Sequence, residues 1–422
     1  MTLPEDFIRE TRQAMGEERF ARLVQGLQEE VPVSIRVNER KLAGASLAWG
    51  KVVAKAVPWC PTGYYLSHRP EFTFDPLLHA GAYYVQEASS MFVDHVLRHV
   101  ALPLIGHPES VLDLCASPGG KSTCLRSALP DECILYSNEP IRPRAQILNE
   151  NILKWGHPNV VVTNNYACDY QRSGLQFDLL RADVPCSGEG MFRKDAQAID
   201  DWSLQKVEQC RLLQRDIIAD IWPCLKPGGV LIYSTCTFNT HENEENVLWT
   251  AQQLGAELIE IPTDPSWNIT GSLTADIPVC RFLPGTTQGE GLFMAALQKA
   301  RGEASLPQRK GGGLRILSHG PLPPQQKGKD LIPDVSEALS LKEGKKYPRV
   351  AIAYDQAIAY LRKEAITLPA DAPHEIVTVT FNHLPLGFAK NIGARANNLY
   401  PKEWKIKTTH IPSDHEAIFS LA

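Results

Sequence analysis

Between Ser110 and about Ala300, short apolar runs of strand length alternate with longer stretches of helical period, and this alternation leaves few folds open. It predicts parallel strands joined by helices that cover both faces of one sheet, a doubly wound Rossmann-like α/β domain spanning 106–300. Strands are expected at Val111-Leu112-Asp113-Leu114, Cys133 to Ser137, Val160 to Thr163, Phe177 to Ala182, Val230 to Tyr233, Leu258 to Ile261 and Leu292 to Leu297. Helices are expected over Arg144 to Trp155 and Ser203 to Leu225, the second stopped by Pro227-Gly228-Gly229.

The flanks read differently. Residues 1–105 suggest a small α+β unit, helical from Asp6 to Leu27, with strand-like pieces at Val31 to Val37 and Lys51 to Val57 and a helix around Ala88 to Val100. Residues 301–330 carry Gly311-Gly312-Gly313 and Pro321, Pro323 and Pro324 among basic residues, the composition of a linker. A second α+β unit is expected over 331–422, with a helix from Asp355 to Lys363, a strand from Glu375 to Phe381, and turns through Gly387, Gly393 and Asn397-Asn398.

Composition narrows the function classes. No run of about 18 apolar residues exists and no signal-peptide pattern opens the chain, which points to a cytoplasmic protein without membrane contact. Ten cysteines without a C-x-x-C pair are not a disulfide framework or a zinc pattern; Cys115, Cys124, Cys133, Cys168, Cys210 and Cys224 read as small core residues, and no metal is expected. The formal charge of −5 hides an asymmetry: from residue 301 onward, 17 Lys/Arg face 12 Asp/Glu, so the C-terminal third is suited to a polyanion.

Chemistry begins at the first strand-to-helix turn, Asp113-Leu114-Cys115-Ala116-Ser117-Pro118-Gly119-Gly120-Lys121-Ser122. Its glycines let the backbone approach a ligand, and the helix start presents free N–H groups. The loop is neither a P-loop nor G-x-G-x-x-G. Lacking a phosphate cradle, the segment Cys115 to Lys121 suits S-adenosylmethionine, whose amino-acid end needs hydrogen bonds and carries no phosphate. Glu139, ending the second strand, is placed to take ribose hydroxyls. Asn165, just past the third strand, is a candidate for the adenine edge.

Two further cysteines follow later strands: Cys186 in Asp183-Val184-Pro185-Cys186 and Cys236 in Ser234-Thr235-Cys236. Two thiols at strand ends of a nucleotide-binding sheet suggest covalent chemistry on a pyrimidine. Cytosine C5 is too weak a nucleophile to attack a sulfonium methyl unaided; a thiolate that adds to C6 makes C5 enamine-like and competent. One group must add and another must help release. A free cysteine has a pKa of about 8.5, so the adding thiol needs activation by its site.

At these segments, DLCASPGGKS from Asp113, NEP from Asn138, DVPCSGEGMFRKD from Asp183 and YSTCTFNTHENEENV from Tyr233, the chain resembles the Nop/Sun family of RNA cytosine-C5 methyltransferases over nearly its whole length. The segments RFLPGTTQGEGLFMAAL from Arg281 and GFAKNIGARANNLYP from Gly387 resemble its bacterial RsmF-like branch, which modifies 16S ribosomal RNA of the small subunit. The resemblance implies a class I S-adenosylmethionine-dependent fold with a C-terminal PUA-like RNA-binding module, acting on RNA as a monomer. It assigns addition to Cys236 and release to Cys186, directly or through a placed water. Asp183 would hydrogen-bond cytosine N3 or N4, with Lys121 beside it; Asp183 also borders the cofactor. Where many relatives carry Ala, this chain has Ser117 and Val184, and Asn165 stands where Asp is common.

A stacked base hides C5 and C6, so the target must be unpaired or flipped out. Arg193 and Lys194 are candidates to hold flanking phosphates, and Tyr400, Trp404 and Lys405 to stack on and pair with RNA. A DNA cytosine-C5 methyltransferase uses the Pro-Cys thiol as nucleophile and lacks the Thr-Cys partner, so Cys236 weighs against DNA. Transfer RNA, the substrate of sister branches, and a catalytically silent ribosome-assembly factor remain as alternatives.

Overall fold

The nine-stranded central sheet runs in space from Ala256–Ile259 through Leu292–Lys299, Leu225–Thr235, Phe177–Asp183, Ser110–Asp113, Ile134–Asn138 and Val160–Thr163 to Ile316–His319, with Cys280–Phe282 pairing off this path. The computed structural model describes residues 1–42, 45–274, 276–302, 313–328, 330–342, 346–408 and 416–421. The strands from Leu225–Thr235 to Val160–Thr163 pair in parallel, whereas Leu292–Lys299 and Ile316–His319 are antiparallel to their neighbours. Val160–Thr163 is buried at every position, as a strand covered on both faces requires. After that strand the chain returns to the far side of Ser110–Asp113, and the reversal opens a crevice between Ser110–Asp113 and Phe177–Asp183 at their carboxyl ends. The doubly wound Rossmann-like core is thus as the sequence predicts.

Several boundaries differ, each for a local reason. The single helix expected from Asp6 to Leu27 is two, Glu5–Met15 and Glu17–Gly26, because Gly16 adopts φ 77° between them. The helix Leu204–Ile221 stops before the expected Leu225: Pro223 has no N–H to continue the ladder. Pro227-Gly228-Gly229 lies instead inside the strand Leu225–Thr235, where the register with Phe177–Asp183 slips between Leu225 and Val230. Within the expected linker, Ile316–His319 is a sheet strand beside Val160–Thr163; Gly311 and Gly312 lie outside the described residues. Gly387 and Asn397-Asn398, expected in turns, belong to the strands Leu384–Asn391 and Ala396–Asn398.

The two flanking units meet. The first sheet (Val53–Ala56, Gly63–Leu66, Val33–Val37, Tyr83–Val85) and the last (Arg349–Ala351, Ile376–Phe381, Leu384–Asn391, Ala396–Asn398) contribute to one continuous core, in which Ile35, Val37 and Tyr83 share a cluster with Val335, Ile358, Val377 and Leu386. Leu47–Trp49 also pairs with Phe419–Leu421. The helical stretch around Ala88 to Ala101 packs on the central sheet, with Phe92, Val96 and Val100 against the cluster of Val111, Leu135 and Val230. Arg36, fully buried on Val33–Val37, reaches the helix Gly120–Ala128 through Thr123 Oγ1 at 2.5 Å and Ser127 Oγ at 3.2 Å, and lies 4.5 Å over the Trp155 ring. No described helix is long and apolar enough to cross a membrane.

Gly26 closes the second helix against the loop at Gly285, where an added Cβ would meet the Gly285 nitrogen at 2.1 Å. Helix propensity alone favours alanine by about 1 kcal/mol. The backbone collision is the larger effect, so Gly26→Ala is expected to destabilise the protein by about 1–3 kcal/mol, read as a lowered midpoint in thermal or denaturant unfolding. A raised midpoint would show that the loop yields.

Candidate active site

Adjacent parallel strands bring the chemistry together. Asp183 and Ser234 are register partners on Phe177–Asp183 and Leu225–Thr235, so the residues just beyond them leave the sheet side by side. Cys186 and Cys236 thereby meet with their sulfurs 3.3 Å apart, both half-buried. The two exit loops are laced together: Gly190 N–H donates to the Cys236 carbonyl at 2.7 Å, and Ser187 Oγ lies 3.1 Å from Thr237 Oγ1. Arg281 supports the second loop from behind, donating to the Phe238 carbonyl at 2.8 Å and pairing with buried Glu244.

Beneath the thiols lies a charge network. Fully buried Arg181 binds Asp113 at 2.9 Å and Asp183 at 3.0 Å, and donates to Ser234 Oγ at 3.2 Å. Asp183 also takes Lys121 Nζ at 2.7 Å and the Ser234 hydroxyl at 2.6 Å, while Ser122 donates to Asp113 at 2.6 Å. Burial alone would raise the Asp183 pKa; Arg181 and Lys121, with the Lys121 and Ser234 hydrogen bonds, outweigh it and hold the carboxyl below its ordinary range. Asp183 is therefore an acceptor toward anything bound above it. The hydrogen bond to Cys236, then burial and the negative charge of Glu242, push the Cys186 pKa well up and keep that thiol protonated.

The cofactor loop sits at the other side of the crevice. Gly119 takes φ 116° just before the helix Gly120–Ala128. Ala116 N–H is tied to the Asn138 carbonyl at 2.8 Å, and Pro118 is exposed. Ser117 Oγ donates to the Arg144 carbonyl at 3.1 Å. Burial pushes the Cys115 pKa up to about 12, which makes it an inert neighbour. Glu139 ends Ile134–Asn138 with its carboxylate accepting from Ile141 N–H at 3.0 Å and facing Arg144 at 3.3 Å. Next to these acceptors stand large apolar side chains in solvent, Ile141 at 46% and Tyr166 at 63% exposure. Backbone N–H groups of the loop and a carboxylate at the second strand end are groups of the kind that S-adenosylmethionine needs.

Several expected contacts are taken up within the protein. The Asn165 amide is tied to Arg315, donating to its carbonyl at 3.1 Å and accepting its N–H at 3.0 Å, so it fastens the edge strand. Arg193 is spent on the carbonyls of Gly289, Glu29 and Glu30, and Lys194 on Glu290, so neither is a free phosphate clamp. Tyr400 is 1% exposed and packs edge-on against Tyr360, which rules out stacking on RNA. Trp404 packs partly buried on the same core under Lys154, leaving Lys405 exposed. Among ligand-type side chains, Cys60, Asp94 and Cys124 gather within 4.8 Å of one another in the interior, one short of a tetrahedral set and with Asp94 bound to Arg98 at 2.8 Å.

Sequence reasoning missed Arg181, Ser234, Glu189, Asn239 and Glu242. Arg181 carried a signal, a cation inside the otherwise apolar run Leu179 to Ala182.

A crossover sheet of this order, with a Pro-Gly-Gly turn at its first helix and an acidic second strand end, defines the S-adenosylmethionine-dependent methyltransferase fold. Comparison with known proteins makes this specific. Residues 104–298 match the model of 16S rRNA methyltransferase RsmB/F, residues 3–88 the N-terminal domain of 16S rRNA methyltransferase RsmF, and residues 347–406 the methyltransferase RsmF PUA domain. The chain belongs to the RsmB/F family of RNA methyltransferases and carries the RsmF N-terminal and PUA domains. It is 28% identical to ribosomal RNA small subunit methyltransferase F of Escherichia coli O9:H4 (strain HS), covering 95% of this chain and 96% of that one, and equally to its counterpart from Shigella dysenteriae serotype 1. Among solved structures, a methyltransferase homolog protein from Pyrococcus horikoshii aligns with 25% identity and a TM-score of 0.58 over 70% of this chain and 95% of that one. NSun6 from the same organism, solved with SFG, shares the fold at 20% identity and a TM-score of 0.58, over 70% of this chain and 98% of that one.

Replacing Arg181 by methionine removes the ion pair of buried Asp113 and leaves Asp183 with Lys121 as its cation, and the expected loss is about 3–5 kcal/mol of stability at neutral pH. Because Asp183 is held below its unfolded value, its contribution is present above about pH 4 and lost as pH falls through the folded value. The deficit of Arg181→Met relative to the parent should therefore shrink on acidification below about pH 4, as measured by denaturant unfolding across pH. A deficit independent of pH would assign the loss to packing alone.

Proposed function

We propose that this protein methylates C5 of a cytosine in 16S ribosomal RNA through a covalent adduct between Cys236 and C6 of the base. The observation that carries the reading is the 3.3 Å approach of two thiols at the ends of neighbouring strands, above a carboxylate locked in its ionised form. S-adenosylmethionine, when bound, supplies the electrophilic methyl group. Its amino-acid end is suited to the Ala116 to Lys121 loop and its ribose to Glu139.

Cys236 as thiolate forms the S–C6 bond, and the electrons of the C5–C6 double bond move to C5 and toward N3. Asp183 accepts a hydrogen bond from the N4 amino group or a protonated N3, which stabilises the electron-rich ring. Lys121 and Arg181 keep Asp183 aimed and ionised. After methyl transfer C5 carries one proton too many.

Cys186 is suited to that second half. The first cause holding its proton is the bond to Cys236. Once the Cys236 sulfur is committed to C6, that hold weakens; Cys186 gives up its proton to water and, as the thiolate, takes the C5 proton directly or through a water. The electron pair of the C5–H bond restores the double bond, the S–C6 bond breaks, and the reprotonated Cys186 receives the departing thiolate at hydrogen-bonding distance. The RNA segment must be single-stranded or flipped out for either sulfur to reach the ring.

Bisulfite sequencing of 16S ribosomal RNA and transfer RNA from cells with and without the gene tests the substrate: a cytosine in 16S RNA should lose its protection in the deletion strain. Loss confined to transfer RNA would move the assignment there, and no change in either would favour a silent assembly factor. With labelled cofactor and RNA, Cys236→Ala should lose transfer by at least a thousandfold, the scale of removing a catalytic nucleophile. Cys186→Ala should accumulate a protein–RNA adduct that survives denaturing electrophoresis. The reverse pattern would exchange the two roles.

A further inference from the structure

Between the two exit loops lies a pair of interior carboxylates that no step above employs. Glu242 is fully buried; its two oxygens accept the Ser187 backbone N–H at 3.0 and 3.3 Å, the Gln214 amide at 2.7 Å and the Asn239 amide at 2.8 Å. Glu189, equally buried, accepts the Phe238 and Asn239 backbone N–H groups, the Asn239 amide at 2.9 Å and the Trp202 indole at 3.0 Å. Each carboxylate thus belongs to one loop and binds the other. Glu242 lies on the Cys236 side and holds the residue after Cys186, whereas Glu189 lies on the Cys186 side and holds the residues after Cys236.

We propose that Glu242 is a positioning residue for Cys186, fixing the loop that begins at Ser187 against the loop that follows Cys236 so that the two thiols meet. The inference rests on the reading of Cys186 as the release residue and extends it to the group that sets its place. The donors around Glu242 are neutral amides, so a carboxylate is retained only because each oxygen has its own N–H partners. Gln214 adds a second tie, donating also to the Pro185 carbonyl at 2.8 Å, immediately before Cys186. The titratable groups facing Glu242 are Glu189 and Cys186 on one loop, Cys210 on the helix Leu204–Ile221, and Tyr233, whose hydroxyl donates to the Glu242 carbonyl at 2.6 Å. Burial, then repulsion from Glu189, raises the Glu242 pKa to about 7.

A glutamine at 242 has one acceptor where the carboxylate has two, and its NH₂ would face an N–H donor. Glu242→Gln should therefore release methylated RNA about tenfold more slowly in single-turnover reactions and accumulate the denaturation-resistant adduct, with RNA affinity unchanged. Added to Cys186→Ala, it should raise the adduct no further. A second readout is independent of catalysis: in a Cys236→Ala background, peptide-resolved alkylation of Cys186 against pH should shift to lower pH when Glu242 becomes Gln, because a negative neighbour has been removed. Asn239→Ala, which deletes one donor and keeps the carboxylate, should show a smaller adduct increase and serves as the test if Glu242→Gln does not fold. Normal release in the folded variants, an unchanged alkylation profile, or an effect that multiplies with Cys186→Ala would overturn the proposal. Absence of adduct in Cys186→Ala, with the alkylation shift present, would instead remove the release role of Cys186 and leave the positioning intact.

Discussion

The arrangement depends on a guanidinium placed where a sheet would ordinarily hold an aliphatic side chain. Arg181, in the middle of the sheet, joins the carboxylate that ends the first strand to the one that ends the fourth and reaches the neighbouring Ser234. Isolated, any of these charges would be too costly to bury. Together they form a charge-paired network, and Lys121 extends it to the glycine loop. Cofactor side and thiol side are thereby referenced to one ion cluster. An electrostatic requirement of the fold doubles as the alignment of the site.

Parallel pairing supplies the rest of the geometry. Two strands in register must end together, so two cysteines a few residues past a matched pair are brought near each other whatever their separation in sequence. Hydrogen bonds between the exit loops then convert nearness into contact. Fifty residues of intervening chain matter little once the sheet has set the ends.

This division explains what could be read in advance. The doubly wound core, the Pro-Gly-Gly turn and the acidic second strand end were legible because period and turn chemistry are local. Side chains whose partners are distant in sequence were not: Asn165 is claimed by Arg315, Arg193 by carbonyls of the N-terminal unit, and Tyr400 by a helix forty residues earlier. Each looked available for a ligand only because the group that engages it was out of view. Arg181 was passed over for the opposite reason, since an apolar run predicts a strand equally well with one cation inside it. The split at Gly16 and the stop at Pro223 show the remaining limit: helical period persists across a residue whose backbone will not continue the helix.

The shared core of the first and last units, closed by the pairing of Leu47–Trp49 with Phe419–Leu421, makes the molecule a loop in space. Domains joined only by a tether explore many relative orientations, but a large apolar interface removes that freedom. The RNA-binding module and the catalytic crevice therefore act as a gauge of set dimensions. The proposed RNA substrate would then be selected by whether its own folded shape spans that gauge, which would put part of the specificity in the architecture of the RNA rather than in the base.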